Sequence, residues 1–245
     1  MTTHIDFAVS PSPIYSLTVH GSDQRFPVNR IFCVGRNYAA HAREMGKDPD
    51  RDPPFFFMKP ASAIVDAAAP VSIHYPSMTS NYQYEVELVA VIGKGGFEIP
   101  ASRALDHVFG YAVGLDMTRR DLQLAARDSG RPWEFGKSFS DSAPIGAVHP
   151  VGAIGHLDSA AIELTVNGST KQASNVAKLI WSTAECIEHL SLYEPLRPGD
   201  VIMTGTPEGV GPVVVGDVMR GRIEGLSEVA VTVTEHVSKT MGATQ

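Results

Sequence analysis

The sequence predicts a mixed α+β fold that is mainly β, and three observations carry that expectation. Short apolar or alternating runs recur along the 245 residues, at 15–19, 31–34, 55–60, 82–92, 110–117, 162–172, 197–204, 217–223 and 229–235. Each is of strand length. Only three stretches, 38–45, 118–126 and 182–193, have helical spacing, which makes the helices few. The runs at 82–92 and 110–117 are apolar on both faces over most of their length, as the central strands of a sheet are.

Composition sets the outer limits. A hydrophobic content of 43% is enough for one large core, so a catalytic domain over 30–245 is expected, with 1–29 as a lead-in segment. The net charge of −7, with no basic run, argues against nucleic acid or an anionic membrane as partner. A small anionic substrate needs only local cations. Cys33 and Cys186 sit in apolar surroundings and read as inert core thiols. With no leader pattern and no apolar run of membrane length, the expected location is cytoplasmic.

The elements follow in order. Residues 15–19 form an early strand among prolines. Residues 31–34 are a buried strand that passes through Gly35, Arg36 and Asn37 into a helix over 38–45 closed by Gly46. On that helix His41 and Glu44 lie three apart, on one face and within reach of each other; an ordinary surface ion pair has the same spacing. Residues 48–54 are polar and proline-rich, suited to a lid. The run at 55–60 ends in Lys59, a cation placed as a solvated strand end would place it. Gly93-Lys-Gly-Gly96 lacks the P-loop ending and reads as a turn. Lys137 lies among apolar and aromatic residues, either snorkelling or neutralising acids. Asn167-Gly168, flanked by alternation, signals a β-hairpin. Ser182 or Thr183 caps the helix to Tyr193 with Glu185 in its first turn, and the loop after 197–204 exposes Thr204 and Thr206. The last ten residues are expected to fray.

Chemistry enters at the 82–92 strand. At period two, Tyr84, Val86, Leu88, Ala90 and Ile92 share one face, while Glu85, Glu87, Val89 and Val91 share the other. Two carboxylates side by side in a buried strand cost several kcal/mol unless protons, basic side chains or a metal compensate them. A solvated strand end would also explain them, as a helix cap would explain Asp116 at the close of 110–117. Taken together, three acids at the ends of two buried strands fit a hard divalent cation, Mg²⁺ or Mn²⁺, held through oxygen.

Five segments in order, 35–44, 84–88, 114–123, the surroundings of Lys137 and 197–207, resemble the fumarylacetoacetate hydrolase superfamily over roughly residues 30–235. The text around Tyr75, 111–123 and Gly130-Arg-Pro-Trp133 is similar to its fumarylpyruvate-cleaving branch in gentisate breakdown. The resemblance implies a β-roll with few peripheral helices, in a homodimer. It implies Glu85, Glu87 and Asp116 as metal ligands, Lys137 beside the metal, and His41 with Glu44 as a water-activating pair. Arg36, Arg120, Gln123 and Thr206 would hold a small anionic diketo-acid. Where many relatives carry an Asp, this chain has Ser140, with Asp141 next to it. The implied activity is hydrolytic cleavage of an acylpyruvate carbon–carbon bond. An oxaloacetate-type decarboxylase or diacid tautomerase would share the ligands, and a non-catalytic metal-binding homodimer would not need the His41–Glu44 pair.

Overall fold

The computed structural model of the chain describes residues 6–44 and 52–235. Its largest sheet runs in the order Phe55–Lys59, Ile31–Gly35, Val201–Met203, Val86–Ile92, Val108–Leu115, Ala143–Ile145 and Ile64–Asp66, and His149–Pro150 also pairs with Val108–Leu115. A second sheet orders Ser169–Asn175, Ala161–Val166, Val218–Ile223, Val229–Thr234 and Val71–His74. The sheet curls into half a barrel and 21% of the described residues are helical, so the expected mainly β roll with few helices is what forms.

Alternation explains the packing. Tyr84, Val86, Leu88, Ala90 and Ile92 join the core between the two sheets, with Ile162, Leu164, Met219 and Val231 from the second. Val89 and Val91, on the other face, enter a separate core. That core is closed by Leu17, Val19, Phe26 and Val28, which places the hairpin Ser16–Thr18 and Arg25–Pro27 over the large sheet. Beyond Val89 the same face carries Glu87 and Glu85, so the acidic end of the strand begins where this core stops.

Local signals formed as their chemistry dictates. Asn167 and Gly168 both take positive φ, 50° and 80°, the backbone of a tight hairpin turn that Asn and Gly tolerate. Thr183–Tyr193 is a helix capped by Ser182, whose hydroxyl and Glu185 form a reciprocal capping box. Cys33 and Cys186 are buried free thiols. Gly93–Gly96 is irregular chain.

Two expectations need correction. The strand at 82–92 is two strands, Tyr82–Tyr84 and Val86–Ile92, broken at Glu85. The first half leaves the large sheet to pair with Thr118–Arg119 and Gly211–Pro212. For the same reason the helix expected over 118–126 is Arg120–Asp128, because Thr118 and Arg119 are held in strand pairing. The first helix is Ala39–Glu44; its expected close at Gly46, most of the 48–54 lid and the last ten residues lie outside the described residues. Among the described residues no helix is long and apolar enough to cross a membrane.

Candidate active site

The break at Glu85 and the pairing of Val86 with Leu115 build the site. That register sets Glu85 across from Asp116, whose N–H donates to the Glu85 carbonyl at 2.8 Å. Glu87 stands two residues on, on the same face. Cross-strand and same-face neighbours are the closest side-chain pairs a sheet makes. One carboxylate oxygen from each of Glu85, Glu87 and Asp116 lies within 4.8 Å of the others. Exposures of 4%, 2% and 1% exclude a solvated strand end or a simple helix cap.

Three buried cations gather on Glu85 and Asp116. Lys137, on the short turn Glu134–Lys137, donates to Glu85 Oε2 and Asp116 Oδ2, each at 2.7 Å. Arg120 donates to the other Glu85 oxygen and through Nε to Gln83 at 2.8 Å. Lys59 Nζ lies 2.8 Å from Asp116 Oδ1, but is directed at the carbonyls of Met117 and Lys137. Asp116 Oδ1 has the Lys59 ammonium as an ion-pair partner but no aligned hydrogen bond. Burial raises the pKa of Glu85, yet Lys137 and Arg120 overcome it and hold this carboxyl well below its usual range. Burial likewise opposes charge on Lys137, and Asp116 and Glu85 reverse that, raising it.

Lys59 is the residue whose part at the site the sequence did not disclose. The signal, a lysine ending an apolar run, is shared with solvated strand ends, and only 1% exposure separates the two. Lys59→Met leaves Asp116 short of one counter-charge and takes a donor from the carbonyls of Met117 and Lys137, the second of which keeps only the Ser142 hydroxyl. The variant is expected to lose about 3 kcal/mol or more of stability, read as a lower urea midpoint at unchanged slope. A midpoint within about 0.5 kcal/mol of the parent, the range of surface substitutions, would overturn that role.

Glu87 differs from its neighbours. Its hydrogen bond comes from the Gly205 N–H at 2.8 Å, with no basic side chain in ion-pair contact among the described residues. Burial, then the charges of Asp116 and Glu85, push its carboxyl well above the ordinary value. A buried carboxylate that no cation contacts and an Asp116 oxygen with no aligned hydrogen bond, in an all-oxygen set, fit a hard divalent ion. Gly205 is required there: its φ is +102° and a Cβ would come 2.7 Å from that of Asn37.

His41, 5% exposed, places Nδ1 3.2 Å from Glu44 Oε2. The Gly209 N–H also donates to Glu44, at 3.2 and 3.3 Å to its two oxygens, which clips the helix to the loop that carries Thr206. A carboxylate has no proton to give, so Nδ1 bears the hydrogen and Nε2 is left as a base. Arg36, His41, Glu85, Glu87, Asp116, Arg120, Gln123, Lys137 and Thr206 line one cleft, with Phe55, Phe57, Leu124, Arg127 and Trp133. Glu44 stands behind His41. Ser140 is exposed and does not line the cleft.

Two further residues position the site. Gln172 is fully buried; it accepts from the Val86 N–H at 3.0 Å and donates to Thr206 Oγ1 at 2.9 Å and the Pro207 carbonyl at 2.8 Å. It couples the strand break to the Thr206 loop. Asn37 donates to the carbonyls of Thr204 and Trp181, each at 2.8 Å. Neither role had a sequence signal, since both link segments far apart in the chain.

The chain is similar to several known proteins. A fumarylpyruvate hydrolase from Ralstonia sp is 50% identical over 191 residues, 77% of this chain and 98% of that protein. A mitochondrial oxaloacetate tautomerase from Arabidopsis thaliana is 41% identical over 208 residues, 85% of this chain and 92% of its own. The crystal structure of fumarylpyruvate hydrolase from Pseudomonas aeruginosa, in complex with Mn²⁺ and pyruvate, superposes with a TM-score of 0.92 at 57% identity. That match covers 94% of this chain and 100% of that one. Residues 30–234 match the family described as fumarylacetoacetate (FAA) hydrolase C-terminal, and with relatives this similar over most of its length the chain belongs to the fumarylacetoacetate hydrolase family.

Proposed function

We propose that the protein is a metal-dependent hydrolase of 3-acylpyruvates, with fumarylpyruvate, cleaved to fumarate and pyruvate, as its preferred substrate. The observation that carries this reading is one cleft holding both a hard-cation ligand set and a histidine base. Glu85, Glu87 and Asp116 hold Mg²⁺ or Mn²⁺. The ion supplies Lewis acidity at the keto-acid end of the substrate, favouring departure of the pyruvate part as an enolate.

The chain's own groups do the rest. Arg120 and Gln123 hold the keto-acid carboxylate. His41 Nε2, oriented through Glu44, takes a proton from water as its oxygen adds to the acyl carbonyl. The Lys137 ammonium and the Thr206 loop face the oxyanion that forms. The bond between the acyl carbon and the pyruvate methylene then breaks, its electron pair goes to the enolate, and a proton returned to that carbon completes pyruvate. The names of the Ralstonia and Pseudomonas relatives support the substrate.

A homodimer belongs to the same reading, supported by Met58 and Tyr193, exposed apolar side chains along a groove beside the edge strand Phe55–Lys59. The tautomerase relative keeps enolate chemistry without water as the rival. The deciding experiment is a turnover assay with Mg²⁺ on fumarylpyruvate, maleylpyruvate, fumarylacetoacetate and oxaloacetate. Fumarylpyruvate is expected to give the highest kcat/KM. Conversion of oxaloacetate with no cleavage of any acyl substrate would end the hydrolase reading.

A further inference from the structure

We propose that Arg127, beside Arg36, binds a carboxylate at the acyl end of the substrate and so selects acylpyruvates that are dicarboxylic. This rests on the acylpyruvate reading above. Arg120, Gln123, Leu124 and Arg127 all line the cleft, as their spacing of three, four and seven along the helix Arg120–Asp128 requires. Arg120 is at the inner end, against Glu85. Arg127 is two turns outward, about 10 Å along the axis, a separation comparable with the length of an extended fumarylpyruvate.

The wall between the two ends suits an unsaturated acyl chain. Phe55 meets Trp133 edge-on at 5.3 Å and Phe57 lies 5.9 Å from the same indole. The Arg36 guanidinium is 5.2 Å from the centre of the Phe55 ring, and its backbone holds a φ of 57° that non-glycine residues rarely adopt. Among the described residues no carboxylate comes within ion-pair distance of Arg36. Burial, then the nearby charge of Arg127, make its protonated form less favourable than usual, and Asp52 opposes this only weakly. Two arginines thus converge on one mouth.

Charge accounting indicates what they are for. In the inner cluster Lys59, Lys137 and Arg120 match Glu85, Glu87 and Asp116. A divalent cation adds two positive charges, and the carboxylate and enolate of a pyruvyl group match those. Among the described residues that line the cleft, Arg36 and Arg127 remain. Arg127 has a contact at 2.9 Å with Asp128, but Asp128 is its chain neighbour, 65% exposed, and Glu134 at the mouth is exposed as well. Such solvated pairs are weak enough for a bound carboxylate to replace.

The test compares the Mn²⁺-loaded parent with Arg127→Met and Arg127→Lys on fumarylpyruvate and on acetylpyruvate, whose acyl group is uncharged. Arg127→Met is expected to lower the ratio of kcat/KM values, fumarylpyruvate over acetylpyruvate, by about 10- to 100-fold, the worth of one hydrogen bond to a charged group. The loss should appear in KM, with Arg127→Lys recovering part of it. Calorimetry gives a readout independent of turnover: the parent should bind fumarate more tightly than monomethyl fumarate, and Arg127→Met should remove that difference. An unchanged ratio together with an unchanged fumarate preference would overturn the proposal. If the parent cleaves neither acylpyruvate, the hydrolase reading fails and the fumarate comparison alone decides the subsite.

Discussion

Glu85→Gln, Glu87→Gln and Asp116→Asn are each expected to lose Mn²⁺ on dialysis and to lose detectable fumarylpyruvate turnover. Each exchange removes one anionic oxygen from a hard cation that takes charged oxygen in preference to amide. Metal content after dialysis and activity at saturating Mn²⁺ are the two measurements, with a melting curve to show that the variant is folded. Full occupancy and full rate in all three would place the site elsewhere. A chelator should silence the parent reversibly, with Mg²⁺ or Mn²⁺ restoring it and Ca²⁺ restoring less, because its longer bonds suit a looser shell.

The raised Glu87 carboxyl gives this prediction a pH dependence. Its folded pKa lies above the unfolded one, so above the ordinary carboxylate range the metal-free protein keeps a proton that the unfolded chain has released. That arrangement is tolerated at low pH, and its cost to stability grows as pH rises above the ordinary carboxylate range. A cation binding to Glu87 displaces the proton. Mn²⁺ affinity should therefore rise with pH up to the folded value of Glu87, and Glu87→Gln should flatten the rise. An affinity independent of pH in the parent would show that Glu87 carries no proton to displace.

His41→Ala and Glu44→Gln are expected to lower kcat on fumarylpyruvate by roughly 10² to 10⁴, the usual worth of a positioned general base, while Mn²⁺ content stays near that of the parent. Neither side chain belongs to the acidic cluster. Glu44→Gln keeps an acceptor for the His41 Nδ1 hydrogen but removes its charge, so it should fall less than His41→Ala. Any oxaloacetate decarboxylation needs no water attack and should fall least. Equal losses on both substrates, or loss of metal in either variant, would remove the water-activating role.

The sequence by itself determined what short-range spacing can encode. Alternation placed Glu85 and Glu87 on one strand face, and a spacing of three brought His41 to Glu44. Asn167-Gly168 fixed a hairpin, and Ser182 with Glu185 fixed a helix start. Each depends only on backbone geometry over a few residues. The tertiary structure alone decided which strands meet and in what register. The Val86–Leu115 pairing sets Asp116 against Glu85, and the same crossing splits the 82–92 strand. It also decided that Lys59 is a buried counter-ion, that Gln172 braces the Thr206 loop, and that Arg127 reaches the cleft. A lysine at a strand end is written the same way whether water or a carboxylate receives its charge. Only packing between distant segments, which excludes the water, makes the difference.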